Sequence, residues 1–255
     1  MKKLLFIGSF FILKVAGSIE LIYNTIGDIM LRLKNEYISV GYESGSSYGG
    51  SQRLSGNNTL SRCGCGLIAA VDMLLYIHKN HPDCFVAEFS EFSLCEIFPK
   101  EKYNELLQII RHRYLPVIPH FGMNGLGLMA GVQLFFKLHH LPFSCVWCIS
   151  DRGLWTKVKE MLSNDIPVIM SVGPNFPKIW KNGRAALYTK DELGEYKPAS
   201  LVKAHFITVT GIDEQWLEIS SWGRRYYLNR RMYEEYVSNY SAALVSNILY
   251  VKKKL

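Results

Sequence analysis

Ser61-Arg62-Cys63-Gly64-Cys65-Gly66-Leu67-Ile68-Ala69-Ala70 sets two cysteines directly ahead of an apolar run with helical period. Cys65 falls at the start of that helix, where the positive end of the dipole favours a thiolate. Cys63, two residues earlier, feels less of it, so Cys65 is the better candidate nucleophile. Far downstream stands Ala204-His205-Phe206-Ile207-Thr208-Val209-Thr210-Gly211-Ile212-Asp213, followed by Ser220-Ser221-Trp222-Gly223. His205 opens a β-branched run with strand character, where a polar residue needs a reason. A thiol with an imidazole as its base is the smallest unit that performs acyl transfer. Four of the other six histidines are accounted for more simply, since His78, His81, His139 and His140 stand at helix ends, where cations complement the dipole.

With 255 residues, half of them apolar, the chain can bury one substantial core. Its net charge of +7 is spread over several short clusters rather than one patch. Arg224-Arg225-Tyr226-Tyr227 mixes bases with aromatics, but a strand with cations outside and aromatics inside explains it without nucleic acid. Six cysteines in a chain this long do not form a disulfide scaffold. Cys145-Val146-Trp147-Cys148 has metal-ligand spacing and could join Cys63 and Cys65 in a zinc site. On a strand, however, residues three apart face opposite sides, which leaves the two as packing residues. No metal or organic cofactor is expected.

Residues 1–40 read as an apolar and amphipathic helical segment, and 41–255 as the main domain. Met1-Lys2-Lys3 and Leu4–Leu13 have the dimensions of a signal peptide or anchor at 1–17, but Lys14 interrupts the approach to a cleavage site. The run is too short to span a bilayer, although membrane contact through it is allowed. The sequence does not choose between export and a cytoplasmic location. Helical period fits Ile19–Leu33, Gly66–His78, Lys100–Arg113, Leu126–His139, Leu154–Leu162 and Arg231–Tyr240. Strand patterns fit Pro142–Ile149, Ile166–Val172, Phe206–Ile212, Trp216–Ser220, Arg224–Leu228 and Ala243–Val251. A polar loop is expected between Gly173 and Gly194, and a Gly/Ser-rich loop over Gly41–Asn58 is long enough to be functional. Helices first and antiparallel strands later make the fold class α+β.

These segments resemble papain-like cysteine peptidases, most closely the bacterial branch related to bacteriocin-leader-processing peptidases. Cys65-Gly66 before a small, apolar helix carries the likeness, with Ile166-Pro167-Val168-Ile169 and His205-Phe206 through Val209-Thr210-Gly211. Ser220-Ser221-Trp222-Gly223 looks like the Asn-Ser-Trp-Gly segment of papain. Tyr48-Gly49-Gly50-Ser51-Gln52 adds a likeness to a further group of bacterial chains with Tyr-Gly-Gly-x-Gln and Cys-Gly-x-Ile-Ala-Ala segments. The likeness extends from about Ser47 to Tyr227.

The resemblance implies a helical N-terminal half packed on a C-terminal antiparallel sheet. It further implies a thiol hydrolase cleaving a peptide or amide bond, with Cys65 as nucleophile and His205 as base. Trp222 would shield the histidine. Two positions depart from the pattern. Ser220 stands where an Asn or Asp orients the imidazole, and no glutamine lies a few residues before the cysteine to hold the oxyanion. Gln52 could reach it through a longer loop, with Asn57 and Asn58 as closer substitutes. The expected partner is a peptide or protein substrate acted on by a monomer. The alternatives are an amidase or acyl-transferase on the same fold, and a peptide-binding module with little or no activity.

Overall fold

The computed structural model describes residues 4–7, 10–15, 18–22, 30–42, 45–150 and 153–254. The chain begins with a small antiparallel sheet of β1 (Leu4–Ile7), β2 (Phe10–Val15) and β3 (Ser18–Ile22). The short strands β4 (Leu31–Arg32), β5 (Val40–Tyr42) and β6 (Gly45–Ser46) follow, then a 3-10 turn at Gln52–Leu54. Next come α1 (Asn58–Cys63), α2 (Cys65–Asn80), β7 (Phe98–Pro99), α3 (Lys100–Arg113) and α4 (Gly125–Leu138). The second half holds β8 (Phe143–Trp147), α5 (Leu154–Ser163), β9 (Val168–Val172), β10 (Ala185–Lys190) and β11 (Tyr196–Val202). It ends with β12 (His205–Ile212), β13 (Trp216–Ser221), β14 (Arg224–Asn229), α6 (Arg230–Tyr240) and β15 (Ile248–Lys253).

The architecture is α+β, built on one large antiparallel sheet in the order β11-β10-β14-β13-β12-β9-β15-β8, with β4 pairing onto β12. The central strands β9 and β12 are buried along their whole length, as their runs of β-branched and apolar residues require. Against this sheet packs α2, apolar on nearly every side and buried from Gly66 to His78, as expected of a helix enclosed by a core. Gly66 makes the closest approach. A Cβ there would come within 3.1 Å of the Phe206 ring, so glycine lets the first turn of α2 lie directly on the start of β12.

Two expectations change. The helix expected over Ile19–Leu33 is not formed at its ends, because Ser18–Ile22 and Leu31–Arg32 are strands and residues 23–29 lie outside the described ones. Leu31 and Arg32 pair with Ile212 and Gly211, so the edge of the central sheet overrides the helical spacing. The polar loop expected between Gly173 and Gly194 holds over 173–184, but Ala185–Lys190 is a strand, β10, which forms a hairpin with β11 at the outer side of the sheet. The signal-peptide reading rests on residues 1–17, whose side chains lie outside the description. Among the described residues no helix is long and apolar enough to cross a membrane.

Candidate active site

Cys65 is the first residue of α2, with Gly64 as its cap. The backbone amides of Phe206, Gly66 and Cys65 itself act on the Cys65 thiol in the direction that favours its thiolate. Cys65 and His205 line one small cavity with Gln52, Ser221 and Trp222. Cys63, the last residue of α1, lines only the larger cleft outside.

His205 is buried, and its Nε2 is hydrogen-bonded to Ser221 Oγ at 2.8 Å. Trp222 stacks on the imidazole with ring centroids 4.7 Å apart and planes 26° from parallel. The Arg53 guanidinium lies 4.6 Å from the Trp222 ring centre. Burial, helped by the Arg53 charge, pulls the His205 pKa down to about 4. Burial pushes the Cys65 thiol up, and the nearby backbone amides oppose this only in part. At neutral pH both groups are held uncharged.

Ser220, expected to orient the imidazole, does not touch it. Its hydroxyl donates to the Tyr48 carbonyl at 2.7 Å, and Ser221 makes the contact with His205. The reason is a bulge in β12. Ile212 pairs with Leu217 and Gly211 with Glu218, but Val209 pairs with Ile219 and Thr208 with Ser220. One extra residue on β12 shifts the register by one, and a shift of one exchanges the faces of the strand. Ser221 thereby comes to share a face with His205.

Gln52 reaches the site through the loop before α1. Its Nε2 donates to the Ser61 carbonyl at 2.9 Å, which uses one of two amide hydrogens and holds the group at the cavity wall. The asparagines are placed elsewhere: Asn57 caps α1 by accepting from the Leu60 N–H, and Asn58 is exposed on the first turn, away from the cavity.

A residue not anticipated from the sequence completes the cavity. Asp72, seven positions after Cys65 on α2, is fully buried and accepts from Tyr103 Oη at 2.6 Å, Tyr37 Oη at 3.3 Å and the Gly50 amide at 3.0 Å. Burial raises its pKa to about 6, against the opposing effect of those donors. Asp72 ties down the Gly49-Gly50 bend that leads into Gln52. A Cβ on Gly49, whose φ is +77°, would run into the Ser220 hydroxyl. The signal was present in the sequence: a carboxylate in the middle of an apolar helix, two turns beyond the cysteine, must be partnered.

Two backbone positions beside His205 are left-handed without being glycine, namely Ala204 at φ +50° and Trp222 at φ +51°. Trp222 and Gly223 form the two-residue turn between β13 and β14, and both have positive φ. Such turns usually carry Asn-Gly. Here the first position is given to the ring that covers the imidazole. No protein-family model matches the sequence, and no curated protein matches it, so the site is read from its own chemistry.

Proposed function

We propose that this chain is a papain-like thiol hydrolase acting on a peptide or amide bond. The observation that carries the reading is the small cavity lined by both Cys65, the first residue of α2, and His205, together with Gln52, Ser221 and Trp222. The α+β architecture and the antiparallel sheet behind α2 agree with a papain-like fold.

In this reading Cys65 attacks the carbonyl carbon as its proton passes to the imidazole nitrogen not bonded to Ser221. The backbone N–H of Cys65 and the free amide hydrogen of Gln52 receive the developing oxyanion. The C–N bond breaks, the imidazolium returns its proton to the leaving amine, and an acyl-thioester remains on Cys65. Water, deprotonated by His205, then hydrolyses the thioester and frees the thiol. Ser221 is a positioning residue: its hydroxyl fixes the ring but supplies no charge to the imidazolium. Trp222 keeps bulk water from the pair.

One observation favours a second reading, a peptide-binding module with little or no activity. The thiol is pushed up and the imidazole down, and Asp72, the only carboxylate among the described residues that line the cavity, is engaged by two tyrosines and a backbone amide. The two readings part in one experiment. A set of peptide vinyl sulfones and epoxides is incubated with wild type, Cys65→Ala and His205→Ala, and intact mass is measured. A hydrolase forms one adduct on wild type, none on Cys65→Ala, and far less on His205→Ala. No adduct on wild type, with reversible peptide binding retained in Cys65→Ala, leaves the binding module.

A further inference from the structure

Outside the thiol lies an open cleft of about 910 Å³ that shares Gln52, Cys65, His205 and Trp222 with the inner cavity. Its charge is one-sided. Arg53, Arg62, Arg184 and Lys203 line it and, among the described residues, no Asp or Glu does. All four are exposed, and among the described residues none has an acidic partner. The contacts made by Arg53 and Lys203 are neutral: one guanidinium lies over Trp222, and one ammonium donates to Asn182 Oδ1 at 2.9 Å. Elsewhere many cations are matched, as in Arg32 with Glu218, Lys159 with Glu214 and Lys197 with Asp191.

The four come from separate parts of the fold. Arg53 and Arg62 belong to the turn and short helix before Cys65. Arg184 precedes β10, and Lys203 sits in the turn that delivers His205. Cations brought together in the cleft that Cys65 lines, without a counter-charge, repel one another and gain when an anion enters. The same cleft exposes apolar surface, with Ile118 and Leu201 more than half exposed and Phe121 at 87%.

From this we infer that the cleft selects acidic peptides, with carboxylate side chains flanking the reacting bond and at least one apolar residue on the Ile118–Phe121 wall. The inference rests on the hydrolase reading for cleavage of the bound peptide but not for binding. A nucleic acid fits less well. Four cations around a thiol and exposed aliphatic surface do not provide the continuous phosphate track that such ligands use.

The test uses full-length Cys65→Ala protein, so that the peptide stays intact, and fluorescence anisotropy with labelled peptides. All are of one length and apolar content, acetylated and amidated so that only side chains carry charge, and they are net acidic, neutral or basic. The acidic peptide should bind at least about tenfold tighter than the neutral one at low salt, with the advantage shrinking as salt rises. Arg184→Glu with Lys203→Glu should abolish or invert that order. Lys252→Glu with Lys254→Glu, the same change in net charge made off the cleft, should preserve it. Arg62→Glu, on an exposed helical position, repeats the test if the double variant does not fold. Equal binding of the three peptides overturns the inference, as does a preference erased equally by the tail variant or tighter binding of a single-stranded oligonucleotide of matched charge. Acidic peptide that binds Cys65→Ala but is not cleaved by wild type and does not acylate its Cys65 sinks the hydrolase reading and keeps this one. Cleavage without charge preference does the reverse.

Discussion

Ser220 and Ser221 are neighbours with opposite duties, and their alanine variants should separate. Ser221→Ala removes the only hydrogen bond shown at His205 Nε2 and should lower kcat about tenfold, the scale of one net hydrogen bond, with little change in KM. Ser220→Ala breaks a buried bond to the Tyr48 carbonyl, so it should lower stability by about 1 kcal/mol while sparing turnover in the folded fraction. Steady-state kinetics and denaturant melts on both variants check this, and equal kinetic damage from both would mean the imidazole is held otherwise. Cys65 gives a second expectation. Because burial raises its thiol pKa, alkylation by iodoacetamide should be slow at pH 7 and climb through the alkaline range. A flat, fast profile from pH 6 upward would instead reveal a preformed thiolate–imidazolium pair.

The β13–β14 turn joins a local strain to a functional ring. A left-handed backbone at a residue such as Trp222 costs about 1–2 kcal/mol relative to its preferred conformation, whereas asparagine accepts it more easily. Trp222→Asn should therefore leave the hairpin formed but uncover His205. Its pKa, followed by NMR of the imidazole protons, should move up from about 4 toward the ordinary value near 6.5 while activity falls. An unchanged titration would show that the ring does not keep His205 dry. At this scale the sequence was readable wherever one residue pattern decided the outcome. The period of α2, the β-branched run of β12 and the Cys-Gly-x-Ile-Ala-Ala segment placed the thiol and the imidazole. It was unreadable wherever two segments had to be registered against each other. The bulge in β12, which exchanges Ser220 for Ser221, leaves no mark beyond Gly211, and β11 goes unread because it is the outermost strand, mostly exposed and with little apolar alternation. Leu31–Arg32 kept its helical spacing but was recruited by the sheet. Asp72 could have been noticed, since its burial in an apolar helix demanded the tyrosines and amide that hold it.

For the molecule as a whole, two buried groups tilt stability with pH in opposite senses. His205 titrates near 4 when folded and near 6.5 when unfolded, so between those values the unfolded chain takes up the proton first. Stability thus falls as pH drops from 6.5 to 4, by up to about 3 kcal/mol. Asp72, with a folded pKa of about 6 against 3.8, binds its proton first in the folded state and so adds stability as pH drops from 6 toward 4. Wild type should show a shallow dependence, because the two largely offset. His205→Gln should become more stable on acidification over that window, and Asp72→Asn less stable and more steeply so, as read from urea midpoints at several pH values. Parallel curves for all three proteins would refute both assignments. A last consequence follows from the seam between α2 and β12, where a glycine lets the first turn of the helix lie on the strand. On the proposed function, the nucleophile and its base lie well over a hundred residues apart in the chain, so ribosomal synthesis at about 5–20 residues per second delivers the cysteine on the order of ten seconds before the histidine. Throughout that interval the newborn polypeptide lacks the pair, which is completed only when the central sheet closes.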